Sequence, residues 1–197
     1  MYPSKYAAAH PDRAAFKMAS TGESVSYAEF EARANKLTHL LQNEGLRRQD
    51  HYSIMMENNN RYLEACAAGE RAGLYYTCIN SFLTADELAY ILDNSESQIL
   101  ITSMSKLEVA IEAVAQSSKV RKVLVVDADA NELPDGFEDY ATTCQSFPAT
   151  PIDNERLGTS MLYSSGTTGR PKGIIRPLPE QPPADALPMY DFLGQLW

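Results

Sequence analysis

The chain has 197 residues, of which 26 are acidic and 17 are basic, giving a formal net charge of −9 at pH 7. This balance argues against a general nucleic-acid-binding protein, because binding to a phosphate backbone needs clustered Lys and Arg. No stretch reaches the roughly 18 consecutive apolar residues of a membrane-spanning helix, and residues 1–13 lack the charged-then-apolar order of a signal peptide. We therefore expect no transmembrane segment and a cytoplasmic location.

The cysteine pattern indicates neither a disulfide framework nor a zinc site. Cys66, Cys78 and Cys144 are odd in number, have no CxxC spacing and lack a nearby histidine. This pattern favours a reducing compartment, and we predict no metal site.

Helix and strand patterns alternate from residue 26 to residue 126. The predicted helices run from the capping box Ser26/Glu29 to Gly45, over residues 61–72, from the capping box Thr84/Glu87 onward, and over residues 107–115. The predicted strands are residues 51–56, 74–79, 98–102 and 122–126. Tyr75 and Tyr76 fall in the second of these strands and are expected to be core residues rather than substrate-stacking aromatics.

This alternation predicts an α/β fold with a mostly parallel sheet and helices on both faces. Residues 127–139 contain six acidic and no basic residues together with Pro134 and Gly136, which predicts a solvated surface loop. Six of the eleven prolines lie in residues 171–188, so this Pro-rich segment is expected to contain neither regular helix nor central strand.

The end of the chain is unusual. Residues 186–197 (ALPMYDFLGQLW) form an apolar run without a capping glycine or a charged tail. We expect Trp197 to be a truncation point inside a larger domain. An apolar edge exposed in this way favours self-association, which would make the chain a homo-oligomer.

Residues 161–175 (MLYSSGTTGRPKGII) contain the segment that indicates chemistry. Gly166 and Gly169 lack a Cβ, so the backbone can adopt positive φ and its N–H groups can converge on an anion. The Ser and Thr hydroxyls can donate to phosphate oxygens, and Arg170 and Lys172 supply positive charge. The segment matches neither the Walker A nor the GxGxxG pattern, and an ordinary surface turn is the alternative.

The ordered string at residues 164–173 (SSGTTGRPKG) resembles the phosphate-binding signature of the adenylate-forming superfamily, which includes acyl-CoA synthetases, firefly-type luciferases and nonribosomal peptide adenylation domains. Residues 68–92 resemble the corresponding region of fatty-acyl-CoA ligases. The order of HPD at residues 10–12 and VSY at residues 25–27 matches the beginning of that family. The resemblance implies that residues 1–197 are the N-terminal part of the AMP-binding domain, an incomplete portion of the large N-terminal domain of these enzymes.

The resemblance further implies a two-step ligase. A carboxylate attacks the α-phosphate of ATP to give an acyl-adenylate and pyrophosphate, and the thiol of coenzyme A then displaces AMP, with Mg²⁺ accompanying the ATP. Similarity assigns these residues to binding of the β- and γ-phosphates: Ser164, Ser165, Gly166, Thr167, Thr168, Gly169 and Lys172. Arg170 occupies a variable position of the motif.

The family's adenine-binding segment, magnesium-binding carboxylate and catalytic lysine correspond to none of these 197 residues, so the isolated chain is expected to be inactive. The expected substrate is a small carboxylic acid of the fatty-acid class. An adenylating ligase for an aryl or amino acid and a noncatalytic α/β nucleotide-binding module are the alternatives.

Overall fold

The computed structural model describes residues 2–129, 133–164 and 170–185. Helices α1 to α6 are, in chain order, Ser4–Ala9, Tyr27–Asn43, Tyr62–Ala72, Ala85–Asn94, Leu107–Gln116 and Tyr140–Gln145. Strands β1 to β10 are Ala14–Lys17, Ser24–Ser26, His51–Met55, Tyr75–Cys78, Ser97–Ser103, Lys122–Val126, Phe137–Asp139, Thr159–Ser160, Leu162–Ser164 and Lys172–Ile174.

The central sheet has six strands in the order β7-β6-β5-β3-β4-β8, and every neighbouring pair in it is parallel. Two antiparallel pairs, β1–β2 and β9–β10, form separate ribbons. The predicted α/β class with a mostly parallel sheet is confirmed.

Helices cover both faces of this sheet because side chains alternate along each strand. On β5, Ile99 and Ile101 pack among residues of α2, α3 and α6, whereas Leu100 packs among residues of α4 and α5. On β6, Leu124 packs in the first of these clusters and Val123 in the second. Two covered faces explain why the sequences of these strands are almost continuously apolar.

The helix boundaries follow the local signals in the sequence. At the start of α2, the Ser26 hydroxyl accepts a hydrogen bond from the Glu29 amide, and the Glu29 carboxylate accepts one from the Ser26 amide. Thr84 forms the same reciprocal cap at the start of α4. Helix α3 ends at Gly73, whose φ of 68° is the left-handed conformation that glycine adopts without strain. The predicted caps and the predicted end of α3 are confirmed.

The prediction of a loop over residues 127–139 is wrong at its end. Phe137–Asp139 forms β7, which pairs in parallel with β6 at the margin of the sheet. This pairing satisfies backbone groups of β6, and Phe137 packs partly buried against the cluster beneath α5. Composition alone does not reveal it, because three residues are too few to show a period.

Elements α1, β1, β2, α6 and β8 have no counterpart in the sequence prediction. The described part of the Pro-rich segment contains one strand, β10. The apolar ending at residues 186–197 lies outside the described residues, so truncation and self-association stay predictions. Among the described helices, none has the length and apolar character required to cross a membrane.

Candidate functional site: the hairpin around the phosphate-loop sequence

The candidate phosphate-binding segment is flanked by the two strands of the β9–β10 hairpin. In this antiparallel pair, Ser164 is the cross-strand partner of Lys172, and Tyr163 is the partner of Gly173. Ser164 and Lys172 therefore face each other where the strands open into the loop, and both are exposed. The other predicted phosphate-binding residues lie outside the described residues: Ser165, Gly166, Thr167, Thr168 and Gly169.

Lys172 presents a positive charge that no carboxylate among the described residues pairs with. None of the salt bridges formed among the described residues involves it. An exposed ammonium group opposite a serine hydroxyl offers donors but no acceptor carboxylate, a combination that suits phosphate oxygens.

Arg170 has a different environment from Lys172. Its guanidinium carbon lies 5.2 Å from the centre of the Tyr90 ring on α4, within the range of a cation–π contact. The Tyr90 hydroxyl also donates a 3.1 Å hydrogen bond to the carbonyl of Pro171. Tyr90 thus holds two consecutive residues at the C-terminal side of the loop.

Two further tyrosines attach the flanks of the hairpin to the body of the fold. The Tyr163 hydroxyl donates to Asn94 Oδ1 at 2.7 Å, and the Tyr75 hydroxyl donates to the carbonyl of Arg176 at 2.7 Å. Burial, followed by the nearby Tyr90, raises the pKa of Tyr163 to about 12, so its hydroxyl stays protonated and remains a donor. Helix α4 and strand β4 therefore attach Tyr163, Pro171 and Arg176, which flank the loop sequence, to the body of the fold.

Gly173 permits close packing inside the hairpin. A Cβ at this residue would lie 2.3 Å from Met161 Cε and 3.1 Å from Tyr163 Cζ. The absence of a side chain lets the Tyr163 ring cross over the backbone next to Lys172.

Sequence reasoning identified the loop but missed its supports. Tyr90, Asn94 and Tyr163 carry no motif, and the helical period of α4 indicates only that Leu88, Ile91 and Leu92 face the core. Tyr75 and Tyr76 were predicted to be core residues, and both are buried as expected.

A family model described as AMP-binding enzyme matches residues 4–177. The chain belongs to the AMP-binding enzyme family. This membership confirms the resemblance inferred from residues 164–173, while the assignment of individual loop residues to phosphate binding stays a prediction.

Two relatives of this chain are named as CoA ligases. The chain is 31% identical over 170 residues to a 3-oxocholest-4-en-26-oate–CoA ligase of Rhodococcus rhodochrous, a match that covers 84% of this chain and 30% of the relative. It is 28% identical over 174 residues to a medium-chain-fatty-acid–CoA ligase of Ectopseudomonas oleovorans, covering 84% and 32% respectively. The chain thus spans about a third or less of the length of these curated relatives.

The fold is shared with a solved CoA ligase. The crystal structure of an anthranilate CoA ligase in complex with anthranoyl-AMP superimposes with a TM-score of 0.73 at 20% sequence identity. The superposition covers 87% of this chain and 33% of that one. The described elements therefore correspond to part of a larger adenylate-forming fold.

Proposed function

We propose that this chain is the N-terminal portion of an AMP-forming acyl-CoA synthetase and supplies its phosphate-binding loop. In the proposed reaction a carboxylate and ATP give an acyl-adenylate and pyrophosphate, and the thiol of coenzyme A then displaces AMP. The observation that carries the proposal is the hairpin that sets Ser164 opposite Lys172 around the SGTTG sequence, in a chain matched by the family model over residues 4–177.

The chain's own contribution is to bind and orient the phosphates. Phosphoryl and adenylyl transfer depend on positioning and on stabilising developing negative charge, and less on covalent chemistry by the protein. Lys172 and the Ser164 hydroxyl would donate to the β- and γ-phosphates and to the departing pyrophosphate, assisted by the hydroxyls and N–H groups of residues 165–169. Attachment of the hairpin to α4 and β4 keeps Ser164 and Lys172 in place before ATP arrives.

The donors described here do not constitute a metal site. No group of three or more His, Cys, Asp or Glu side chains among the described residues is placed to hold a metal ion. Mg²⁺ is expected to accompany ATP in this family, but the cations and hydroxyls of the hairpin fit phosphate rather than the metal.

The proposed substrate is a carboxylic acid. The relatives are named for a 3-oxocholest-4-en-26-oate, for medium-chain fatty acids and for anthranilate, which share only the carboxylate and the ligation to CoA. We take fatty acids as the first class to test because a medium-chain ligase is among the relatives. Aryl acids form the second class.

Equilibrium binding of ATP to the 197-residue chain tests the role of the hairpin. We expect weak binding that pyrophosphate competes away and that Lys172→Ala weakens about tenfold or more, because a charge-assisted hydrogen bond is lost. Lys119→Ala is the matched control, since Lys119 is an exposed lysine outside the hairpin that lines a cleft with Asp50 and Glu96. Equal affinities for the parent and Lys172→Ala would contradict the proposed role.

ATP–pyrophosphate exchange with fatty, aryl and amino acids tests the ligase assignment. The 197-residue chain alone is expected to show no exchange. A chimera in which residues 1–177 are followed by the remaining part of the Ectopseudomonas ligase is expected to show exchange with one acid class. Robust exchange by the isolated chain would refute its assignment as a portion of the enzyme. A folded chimera that binds ATP but exchanges with no acid would favour the noncatalytic module.

A further inference from the structure

The structure brings together two cysteines that the sequence does not associate. Cys66 lies on α3 and Cys78 is the last residue of β4, and their Sγ atoms are 3.7 Å apart. Both are free thiols, with Cys66 buried and Cys78 exposed. The spacing of 12 residues places one cysteine on a helix and the other on the following strand.

The two thiols have opposite reactivities. The hydrogen bond from the Cys66 thiol lowers the pKa of Cys78 to about 7, against the effect of burial, and a hydrogen bond from the Tyr62 hydroxyl lowers it further. The same contact, together with burial, raises the pKa of Cys66. An exposed thiolate beside a buried thiol is the arrangement of an attacking cysteine and a resolving cysteine.

We propose that Cys78 is a thiol-exchange site for low-molecular-weight disulfides of the glutathione type, with Cys66 as the resolving thiol. This site is independent of the phosphate loop and of the proposed ligase reaction. Cys78 pairs in register with Ile54, so its side chain is on the sheet face that α3 covers. The Tyr163 ring packs with the cluster on the opposite face.

The exchange proceeds in two balanced steps. The Cys78 thiolate attacks one sulfur of the small disulfide, breaking its S–S bond, forming a mixed disulfide and releasing one thiolate. The Cys66 sulfur then attacks Cys78 Sγ, its proton passes to the departing thiolate, and the Cys66–Cys78 bond forms. The two protein thiols are oxidised by two electrons, and the small disulfide is reduced to two thiols.

The distance between the two sulfur atoms is compatible with this product. A disulfide bond is about 2.05 Å long, so the two sulfur atoms must approach each other by less than about 2 Å from their contact distance. The bond would tie α3 to β4 across the Gly73 turn, two elements that are already packed together. We therefore expect the secondary structure to survive oxidation.

The experiment is incubation of the reduced 197-residue chain with oxidised glutathione, followed by intact-mass measurement and peptide mapping. The parent chain is expected to lose two hydrogen atoms and to yield a peptide that links Cys66 to Cys78. Cys66→Ser is expected to stop at one glutathione bound to Cys78. Cys78→Ser is expected to form neither product.

Cys144 supplies an internal control. It is buried on α6, and burial raises its pKa to about 12, so we expect Cys78 to react with iodoacetamide at pH 7 at least about tenfold faster. Circular dichroism establishes that each variant is folded, and Cys66→Ala replaces Cys66→Ser if the buried hydroxyl prevents folding. A glutathione adduct that persists on Cys78 in the parent chain, a disulfide that includes Cys144, or equal reaction rates of Cys78 and Cys144 would overturn the proposal.

Discussion

Glu64 shows how burial of a single residue affects the stability of the chain. Its side chain on α3 is 1% exposed and accepts a 2.9 Å hydrogen bond from the Tyr140 hydroxyl. Arg61 and Arg33 lie 3.5 and 4.0 Å from its two carboxylate oxygens. Burial raises the pKa of Glu64 to about 7, against the lowering effects of Arg61 and Tyr140.

The raised pKa predicts a pH-dependent loss of stability. The folded chain holds the Glu64 proton more tightly than the unfolded chain, so this contribution is fully present below about pH 4.5 and is lost as the pH rises through about 7. Glu64→Gln removes the titration. We expect the unfolding free energy of Glu64→Gln, relative to the parent, to increase by about 2–3 kcal/mol between pH 5 and pH 8 in urea titrations.

Tyr140→Phe is the companion variant for Glu64. It removes a donor that favours the ionised carboxylate, so the fall in stability should move to higher pH and the chain should be less stable at pH 8. Parallel stability curves for the parent and Glu64→Gln across this pH range would show that Glu64 does not titrate in the folded chain.

The contacts that could be predicted from the sequence are local along the chain, and those that could not be predicted are not. Ser26 and Glu29 are three positions apart, so their contact follows from helix geometry and is readable locally. Cys66 and Cys78 meet only because a helix packs back onto the next strand. Their contact depends on the tertiary fold, which residue type and spacing do not encode.

At the level of elements, helices α2 to α5 and strands β3 to β6 were predictable because each carries its own period and terminal signals. The docking of the β9–β10 hairpin was not predictable, since it depends on hydroxyls that reach across the fold. Tyr90 and Pro171 are 81 positions apart, and Tyr163 and Asn94 are 69 apart. The sequence thus indicated which segment to propose for phosphate binding but not which side chains attach its flanking strands to the fold.

We expect the hairpin to open faster when the contacts of Tyr90 are removed. Tyr90→Phe keeps the ring beneath Arg170 but loses the hydrogen bond to the Pro171 carbonyl. A typical hydrogen bond contributes about 1 kcal/mol, so amide hydrogen exchange in peptides covering residues 161–175 should accelerate about fivefold. Tyr90→Leu should accelerate it further, because the cation–π contact is also lost.

Tyr27→Phe is the matched control for Tyr90→Phe. Tyr27 stacks on Tyr6 at the start of α2, in a different part of the molecule, and its substitution should leave exchange in the hairpin unchanged. If Tyr90→Phe also left exchange unchanged, the Tyr90 hydroxyl would not be what attaches the loop to α4.

At the scale of the whole molecule, buried Arg71 connects the N-terminal segment with three later parts of the chain. Its guanidinium forms a two-pronged ion pair with Glu31 on α2, at 3.0 and 2.7 Å, and bonds Asn35. Glu155 lies 3.6 Å away, and its other oxygen accepts a 2.6 Å hydrogen bond from the Tyr2 hydroxyl. The N-terminal segment, α2, α3 and the segment before β8 therefore meet at one cation.

This network could not be predicted from the sequence. An arginine in the last turn of an amphipathic helix is normally exposed to solvent, where its charge interacts favourably with the helix C-terminus. The position of Arg71 in the last turn of α3 therefore predicts an exposed side chain. Its complete burial follows from the covering of α3 by α2 and by the chain around Glu155. A buried charge is tolerated because its partners come from distant parts of the chain.

Arg71→Met tests how much the hydrogen-bonded ion pairs of Arg71 contribute to the free energy of unfolding. The substitution keeps a long apolar side chain but leaves Glu31 and Glu155 without their cation, and we expect a loss of about 3–5 kcal/mol in urea unfolding. Most of this loss comes from the carboxylates that are left unpaired. Adding Glu31→Gln to Arg71→Met should therefore recover part of it, with a coupling energy between the two substitutions of about 1–3 kcal/mol. Arg71→Lys, which keeps the charge without the two-pronged geometry, should lie between the parent and Arg71→Met. Additive effects of Arg71→Met and Glu31→Gln would mean that the pair contributes through packing, and that charge pairing does not hold these segments together.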